Sequence, residues 1–177
     1  SASTAILATT SPPALCTSAS MAFRLPPVEM TSLGFSDALN PYEETPAELA
    51  CVLKGGALIA ERTPFERVIT NIQDGCVMGY KYFDFGADYG SKTMQLFADV
   101  MGFGCACDVH VRLDAEDGEE IGCFHVGRGA ECIKTRVKAV TGRHALYFAV
   151  TTHYSGWTGD FFAGRCLMEF KKFVFMK

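Results

Sequence analysis

The sequence predicts an all-β fold, a two-sheet β-sandwich of jelly-roll type. Three observations predict it: short stretches of alternating apolar and polar residues recur along the chain, turn signals separate them, and no ten-residue window shows a helical period with caps. Asp74-Gly75, Asp117-Gly118 and Thr141-Gly142 are the clearest turn signals. A chain of 177 residues that is 49% apolar has a substantial core to bury, and many short strands bury one only as a sandwich or barrel.

Strands are expected at 47–53, 57–61, 66–72, 76–85, 93–103, 106–113, 119–126, 132–138, 144–151 and 166–175. The stretch 109–122, V-H-V-R-L-D-A-E-D-G-E-E-I-G, reads as a hairpin. Val109, Val111 and Leu113 share its inner face, and His110, Arg112 and Asp114 its outer one, because side chains alternate along a strand. Asp117-Gly118 suits a type I′ turn, whose two central residues need positive φ. The same alternation groups Leu96, Ala98 and Val100, then Leu146, Phe148 and Val150, then Phe173 and Phe175, as core sets. Tyr147 faces the other way, so its strand is expected to be covered on both sides.

Charge excludes some functions. The net charge is −4 and the 16 basic residues form no block, so neither nucleic-acid binding nor a membrane-surface role is expected. No apolar run approaches the ~20 residues of a spanning helix. The acidic cluster Asp114, Glu116, Asp117, Glu119 and Glu120 reads as a solvated hairpin tip and misses the spacing of a calcium loop. The eight cysteines include no C-x-x-C pair, and several occupy apolar strand positions. Buried, reduced thiols in an intracellular protein are the favoured reading. A disulfide framework ranks below it, since a chain this long needs no staples. A metal site ranks lower still, because His110, His125, His144 and His153 are scattered along the sequence.

Residues 1–42 differ in character. The first 22 carry no charge, and the apolar stretch 5–8 is too short for a signal core, so no targeting signal is assigned. A start at Ser1 rather than Met leads us to expect a piece of something longer.

Several segments resemble family 6 carbohydrate-binding modules. F-E-R-V-I-T-N-I-Q-D-G-C-V-M-G-Y-K-Y-F-D-F-G (65–86) is similar to a family segment ending in Y-K-x-V-D-F-G, and V-R-L-D…G-E-E-I-G resembles I-R-L-D-x-x-x-G-x-x-I-G. V-K-A-V-T-G-R-H-A-L-Y-F (137–148) and the terminal F-K-K-F-V-F also resemble family strands. P-V-E-M-T-S-L-G-F and L-N-P-Y, within 27–42, look like the tail of a glycoside hydrolase family 43 catalytic domain. The resemblance implies a galactose-binding-like jelly roll over 43–177, preceded by an appendage at 1–42. It implies binding of plant cell-wall polysaccharide of the xylan or arabinoxylan class, beside a five-bladed hydrolase propeller that this chain is too short to contain. The chain alone is therefore expected not to be an enzyme and to need no cofactor. The alternative is a structural accessory domain that packs against the catalytic domain or another subunit.

The resemblance also marks site positions. An aromatic platform of the family falls at Asn71, a second in 127–132, and a polar Asn at Glu169; none of the family's aromatics is present there. Trp157, in the loop H-Y-S-G-W-T-G-D, is the expected replacement platform, with Tyr154 and Asp160 beside it and Tyr89 a weaker candidate. The bland reading of Trp157 is packing over the sandwich end or against the catalytic domain. The family's structural calcium uses acids of an early strand and a late Asp. Here Glu48 remains, whereas Pro46 and Lys171 replace the others. A Glu48–Lys171 ion pair is therefore expected in place of calcium.

Overall fold

The computed structural model describes residues 38–88, 90–154 and 159–177 in full, and the backbone alone at 30–31, 34–35 and 156–158. In chain order, β1 (Met30–Thr31) and β2 (Gly34–Phe35) pair with each other, and β3 (Thr45–Pro46) leads into a 3-10 turn at Ala47–Leu49. Then come β4 (Val52–Lys54), β5 (Leu58–Thr63), β6 (Glu66–Ile72) and β7 (Val77–Asp84). Two long strands follow, β8 (Thr93–Leu113) and β9 (Glu120–Lys138). The chain closes with β10 (Arg143–Thr152), a short helix α1 (Gly156–Phe162) and β11 (Met168–Met176).

Strand β8 builds both layers. Its first half pairs with β11, which carries β6 and β5 outward; its second half pairs with β10, which carries β7 and β4. Strand β9 follows β8 along both halves. The stretches 93–103 and 106–113, expected as separate strands, are therefore one, as are 119–126 and 132–138. The register slips between Phe103 and Cys107, and Gly104 takes φ +92° there. Before the slip Met94, Leu96, Ala98 and Val100 face inward; after it Cys105, Cys107, Val109 and Val111 do. A bulge of this kind changes which parity points to the core while letting the strand bend from one layer to the other. Gly102 serves the same region by proximity, since a Cβ there would lie 2.0 Å from the Gly127 carbonyl oxygen.

Aromatic rings fill the space between layers. Phe173 of β11 meets Tyr80 and Phe148 of the opposite layer at 5.0 Å between centroids, and also contacts Phe83, Phe170 and Phe175. Tyr80 is fully buried and donates its hydroxyl to the Ala47 carbonyl at 2.8 Å. Burial pushes its pKa up, so the hydroxyl stays neutral and the donor is satisfied. On the outside of the β7–β10 layer Tyr147 is buried with Val77 and Ala145, and the missing side chain of Gly79 makes room for its ring. That strand is covered on both faces, as the alternation predicts.

Three expectations need correction. The hairpin tip is not a type I′ turn on Asp117-Gly118: the residue with positive φ is Asp114, at +64°. Gly118 is needed for space instead, because a Cβ there would fall 1.9 Å from the Leu113 carbonyl oxygen. The loop at 154–167 contains α1, a helix too short to show a hydrophobic period. Residues 47–49 form a 3-10 turn rather than the start of a strand.

The segment 38–42 is bonded to the sandwich. Leu39 exchanges backbone hydrogen bonds with Tyr82 and Asp84, the Pro41 carbonyl accepts from Phe175, and the Tyr42 hydroxyl donates to the Phe85 carbonyl at 2.9 Å. The expected boundary after residue 42 follows a segment already docked on the core; residues 1–29 lie outside the described residues. Among the described residues, no helix is long and apolar enough to cross a membrane.

The seven described cysteines are all free of disulfides. Cys76, Cys105 and Cys107 are buried, as expected, but Cys132 is exposed. It lies on the second half of β9, which has β8 as its one described strand partner and so remains an edge. Burial first, and then the neighbouring Asp108 carboxylate, pushes the Cys107 thiol up to about 12.

Two outcomes follow from this packing. Phe173→Ala should lower stability by about 3–5 kcal/mol, read as a shifted urea midpoint at unchanged m-value, because the ring bridges both layers. In native thiol titration with an aromatic disulfide at pH 8, Cys132→Ser should remove one fast-reacting thiol and Cys107→Ser none, because the thiolate is the reacting form. Equal effects of the two substitutions would contradict the burial assigned to Cys107.

Candidate functional site

The sandwich end beyond β10 carries the most site-like arrangement. Tyr154 leaves β10 and is held by the Ala106 N–H, which donates to its hydroxyl at 3.2 Å. Its ring lies against Phe162 of α1, centroids 4.5 Å apart and planes 35° apart. Arg165 covers the exposed Phe161 at 4.3 Å, so α1 is fixed by aromatic and cationic contacts at its C-terminal end. Between α1 and the turn after β6 lies a recess of about 300 Å³, lined by Gln73, Asp74, Thr152, Tyr154, Phe162 and Leu167 among others. Asp74 Oδ1 accepts from the Thr152 N–H at 2.9 Å. Gln73 donates to Asn71 Oδ1 at 3.1 Å, and Asn71 donates to the Gly56 carbonyl at 2.8 Å. Aromatic surface beside a carboxylate and an amide is the chemistry that receives an apolar C–H face edged by hydroxyls.

The structure therefore places Tyr154 in the recess and ties Asn71 to it through Gln73. Asn71 itself adopts φ +55° and points its amide at its own hairpin. Asp160 is exposed on α1 and does not line the recess. The backbone of Trp157 lies in the first turn of α1, but its side chain is outside the described residues, as is Tyr89. Gln73, Asp74 and Thr152 were not singled out by sequence. Gln73 and Asp74 sit in an ordinary turn signal, and only the fold brings Thr152 to them.

Glu169 lies elsewhere. It pairs across strands with Met101, which in turn pairs with Ala130, while the adjacent Met168 pairs with Ile72. The positions marked by the resemblance, Asn71, 127–132 and Glu169, thus lie on β6, β9 and β11, with β8 between the last two. What fills that face is an ion pair. Glu169 is only 6% exposed, its carboxylate bonded to the Arg62 guanidinium and accepting from the Thr70 hydroxyl at 2.9 Å. Both carboxylate oxygens already have partners.

No family model matches the sequence, and no curated protein does. Solved structures do. The chain is similar to a family 6 carbohydrate-binding module from Clostridium cellulolyticum in complex with xylose, with TM-score 0.65, 21% identity, and 78% of this chain and 100% of that one covered. A second family 6 module, from Clostridium stercorarium in complex with cellobiose, gives TM-score 0.64 at 18% identity over 80% of this chain and 98% of that one. The fold is that of a family 6-like carbohydrate-binding module. A glycoside hydrolase family 43 arabinoxylan arabinofuranohydrolase from Bacillus subtilis is also similar, at TM-score 0.60 and 27% identity over 81% of this chain. The chain spans 28% of that enzyme's length.

The calcium position implied by the resemblance can be tested on the module's own donors. A recess of about 380 Å³ is lined by Glu44, Glu48, Glu66 and Asp99, but also by Lys171 and Lys172. Lys171 pairs with Glu66 at 3.3 Å rather than with Glu48, and Lys172 pairs with Glu44 at 2.8 Å. The expected Glu48–Lys171 pair is thus corrected. The irregularity between Phe170 and Lys172 gives the two lysines different neighbours, one on β6 and one just before β3. Two ammonium groups among the donors do not fit a calcium ion, which needs anionic or carbonyl oxygen.

The Arg62–Glu169 pair makes a checkable statement. Arg62→Ala leaves a buried carboxylate with the Thr70 hydroxyl as its remaining partner and should lower stability by about 1–3 kcal/mol, less than for a fully buried pair because Arg62 is half exposed. Combining it with Glu169→Leu should restore part of that loss in the same urea titration. Independent, additive losses would mean that the two side chains are not coupled.

Proposed function

We propose that this chain is the non-catalytic sugar-binding module of a family 43-type glycoside hydrolase, taking oligosaccharides of the xylan and arabinoxylan class. The observation that carries the reading is the recess at the sandwich end, which Tyr154 lines together with Asp74 and Gln73. Modules of this fold from Clostridium cellulolyticum and Clostridium stercorarium were solved with xylose and with cellobiose, which supports a carbohydrate ligand. The likeness to an arabinoxylan arabinofuranohydrolase supports the pentose-rich class and the catalytic partner. In this reading residues 1–42 are the tail of that catalytic domain and 43–177 the module.

Tyr154 and Trp157 are assigned as ring platforms and Asp74 as acceptor of sugar hydroxyls, whereas Asp160, exposed on α1 outside the recess, is given no sugar contact. Asn71 orients Gln73, whereas Glu169, already bonded to Arg62 and Thr70, is given no sugar contact. Asp74 is the single carboxylate among the described residues lining the recess. Glycoside hydrolysis in its usual form needs two flanking the bond, which supports a binding rather than a catalytic role.

One observation favours a second reading, an accessory domain without a ligand. Phe65 at the β5–β6 tip is 99% exposed, and Leu58 and Ile59 are exposed on β5, the outer strand of its layer. Such apolar surface on a strand that is an edge among the described residues suits packing against a catalytic domain.

Calorimetric titration of xylo- and arabinoxylo-oligosaccharides separates the two. Binding by wild type, weakened about ten-fold or more in Tyr154→Ala and in Trp157→Ala, is expected for the sugar module. No heat with any oligosaccharide would sink that reading and leave the accessory role.

A further inference from the structure

His125 and His153, far apart in sequence, meet on the outer face of the β8–β10 layer around one carboxylate. Asp108 of β8 stands directly opposite His125 of β9 and, on its other side, opposite Thr151 of β10. His153 lies two residues beyond Thr151, just past the strand end. His125 Nδ1 is 2.8 Å from Asp108 Oδ1, and His153 Nε2 is 2.5 Å from Asp108 Oδ2. The three donor atoms lie within 4.8 Å of one another. Both rings are more than half exposed, while Asp108 is 20% exposed and held between them. Burial of the carboxylate opposes its charge, but the two imidazoles outweigh this and hold its pKa below the ordinary value.

We propose that Asp108, His125 and His153 form a site for a borderline divalent transition-metal ion, zinc in the first instance, with at least one coordination position open to solvent. Two imidazoles and one carboxylate are the donor set such ions take, whereas calcium and magnesium prefer oxygen alone. Zinc bonds of ~2.0–2.2 Å place tetrahedral donors roughly 3.3 Å apart, a spacing these donors reach by small rotations of two exposed rings. Two ligands are fixed by the β8–β9 register, and the third comes from the segment that continues β10. The neighbouring group of His110, Glu120 and Cys123 is not chosen. Its Glu120 carboxylate lies 3.0 Å from His110 Nδ1 but also 3.7 Å from the Arg112 guanidinium, a cation that competes with an ion for the same oxygen. A bound ion would tie the end of β10 to the hairpin, one residue before Tyr154.

The test uses the whole chain, stripped with a chelator and titrated with zinc by calorimetry and with cobalt(II) by visible absorption. One ion per chain is expected, with His125→Ala and His153→Ala each weakening zinc roughly ten-fold or more. His144→Ala should change nothing, because His144 belongs to Asp114 instead. Matching circular dichroism melts in chelator would show that the variants fold. No heat and no cobalt bands would overturn the site and leave a hydrogen-bonded His–Asp–His network. Unchanged affinity in His125→Ala and His153→Ala, with loss in His110→Ala or Cys123→Ser, would overturn it equally by placing the ion in the neighbouring group.

Discussion

Strand β8 must keep an apolar face inward for 21 residues while leaving one layer and joining the other. That constraint organises the molecule. A strand of unbroken alternation that long would run on in a single sheet. The bulge at Phe103–Cys107 lets the chain turn and resets which side chains face the core. β11 can then pair with the first half and β10 with the second, so their aromatic side chains face each other across the interior. Phe173 stands where those faces meet, with rings of both layers around it. The recess at the sandwich end depends on the same bend, because the Ala106 N–H that holds Tyr154 belongs to the bulged segment itself.

Much of this was legible in the sequence because burial on one face imposes a period of two. Leu96, Ala98 and Val100, then Val109 and Val111, then Leu146, Phe148 and Val150 are buried as their alternation implies. The continuity of β8 was not legible. The G-F-G-C run reads locally as a strand end, and only pairing with β9 on both sides of it makes one strand of two. The tip at Asp114 departs from its sequence signal for a related reason. A glycine after Asp suggests positive φ, yet Gly118 is there because a carbonyl passes too close for a side chain. The site was less legible than the fold. Tyr154 carries an aromatic signal, but Gln73, Asp74 and Thr152 are ordinary turn and strand residues until three connections converge. The His125–Asp108–His153 group is invisible for the same cause, since its members are joined by register rather than by spacing.

A common theme runs through the polar positions that the family resemblance marks. At Glu169 and Lys171, and at Lys172 beside them, the chain carries internal ion pairs. Arg62 covers Glu169, Lys171 meets Glu66, and Lys172 meets Glu44. These differ in weight. The two lysine pairs are largely solvated and contribute little, whereas Glu169 is buried and would be costly unpaired. A face filled in this way cannot open to a sugar without losing that partner. Aromatic area beside a carboxylate remains at the sandwich end, where Tyr154 and Phe162 line a recess with Asp74, whose Oδ1 accepts from the Thr152 N–H.

The recess and the histidine group share the same short piece of chain. Thr152 lines the recess, His153 reaches back to Asp108, and Tyr154 turns toward α1. Alternation explains the arrangement: successive residues leaving a strand point to opposite sides, so one side chain is free for the outer face while its neighbours serve the end of the sandwich. The segment is anchored from both directions, by Asp108 on β8 and by Asp74 in the turn after β6. Fixing a loop at its exit from a strand lowers the ordering cost of whatever that loop later holds. The position of Tyr154 is thus set by contacts outside the recess as much as by the Phe162 ring within it.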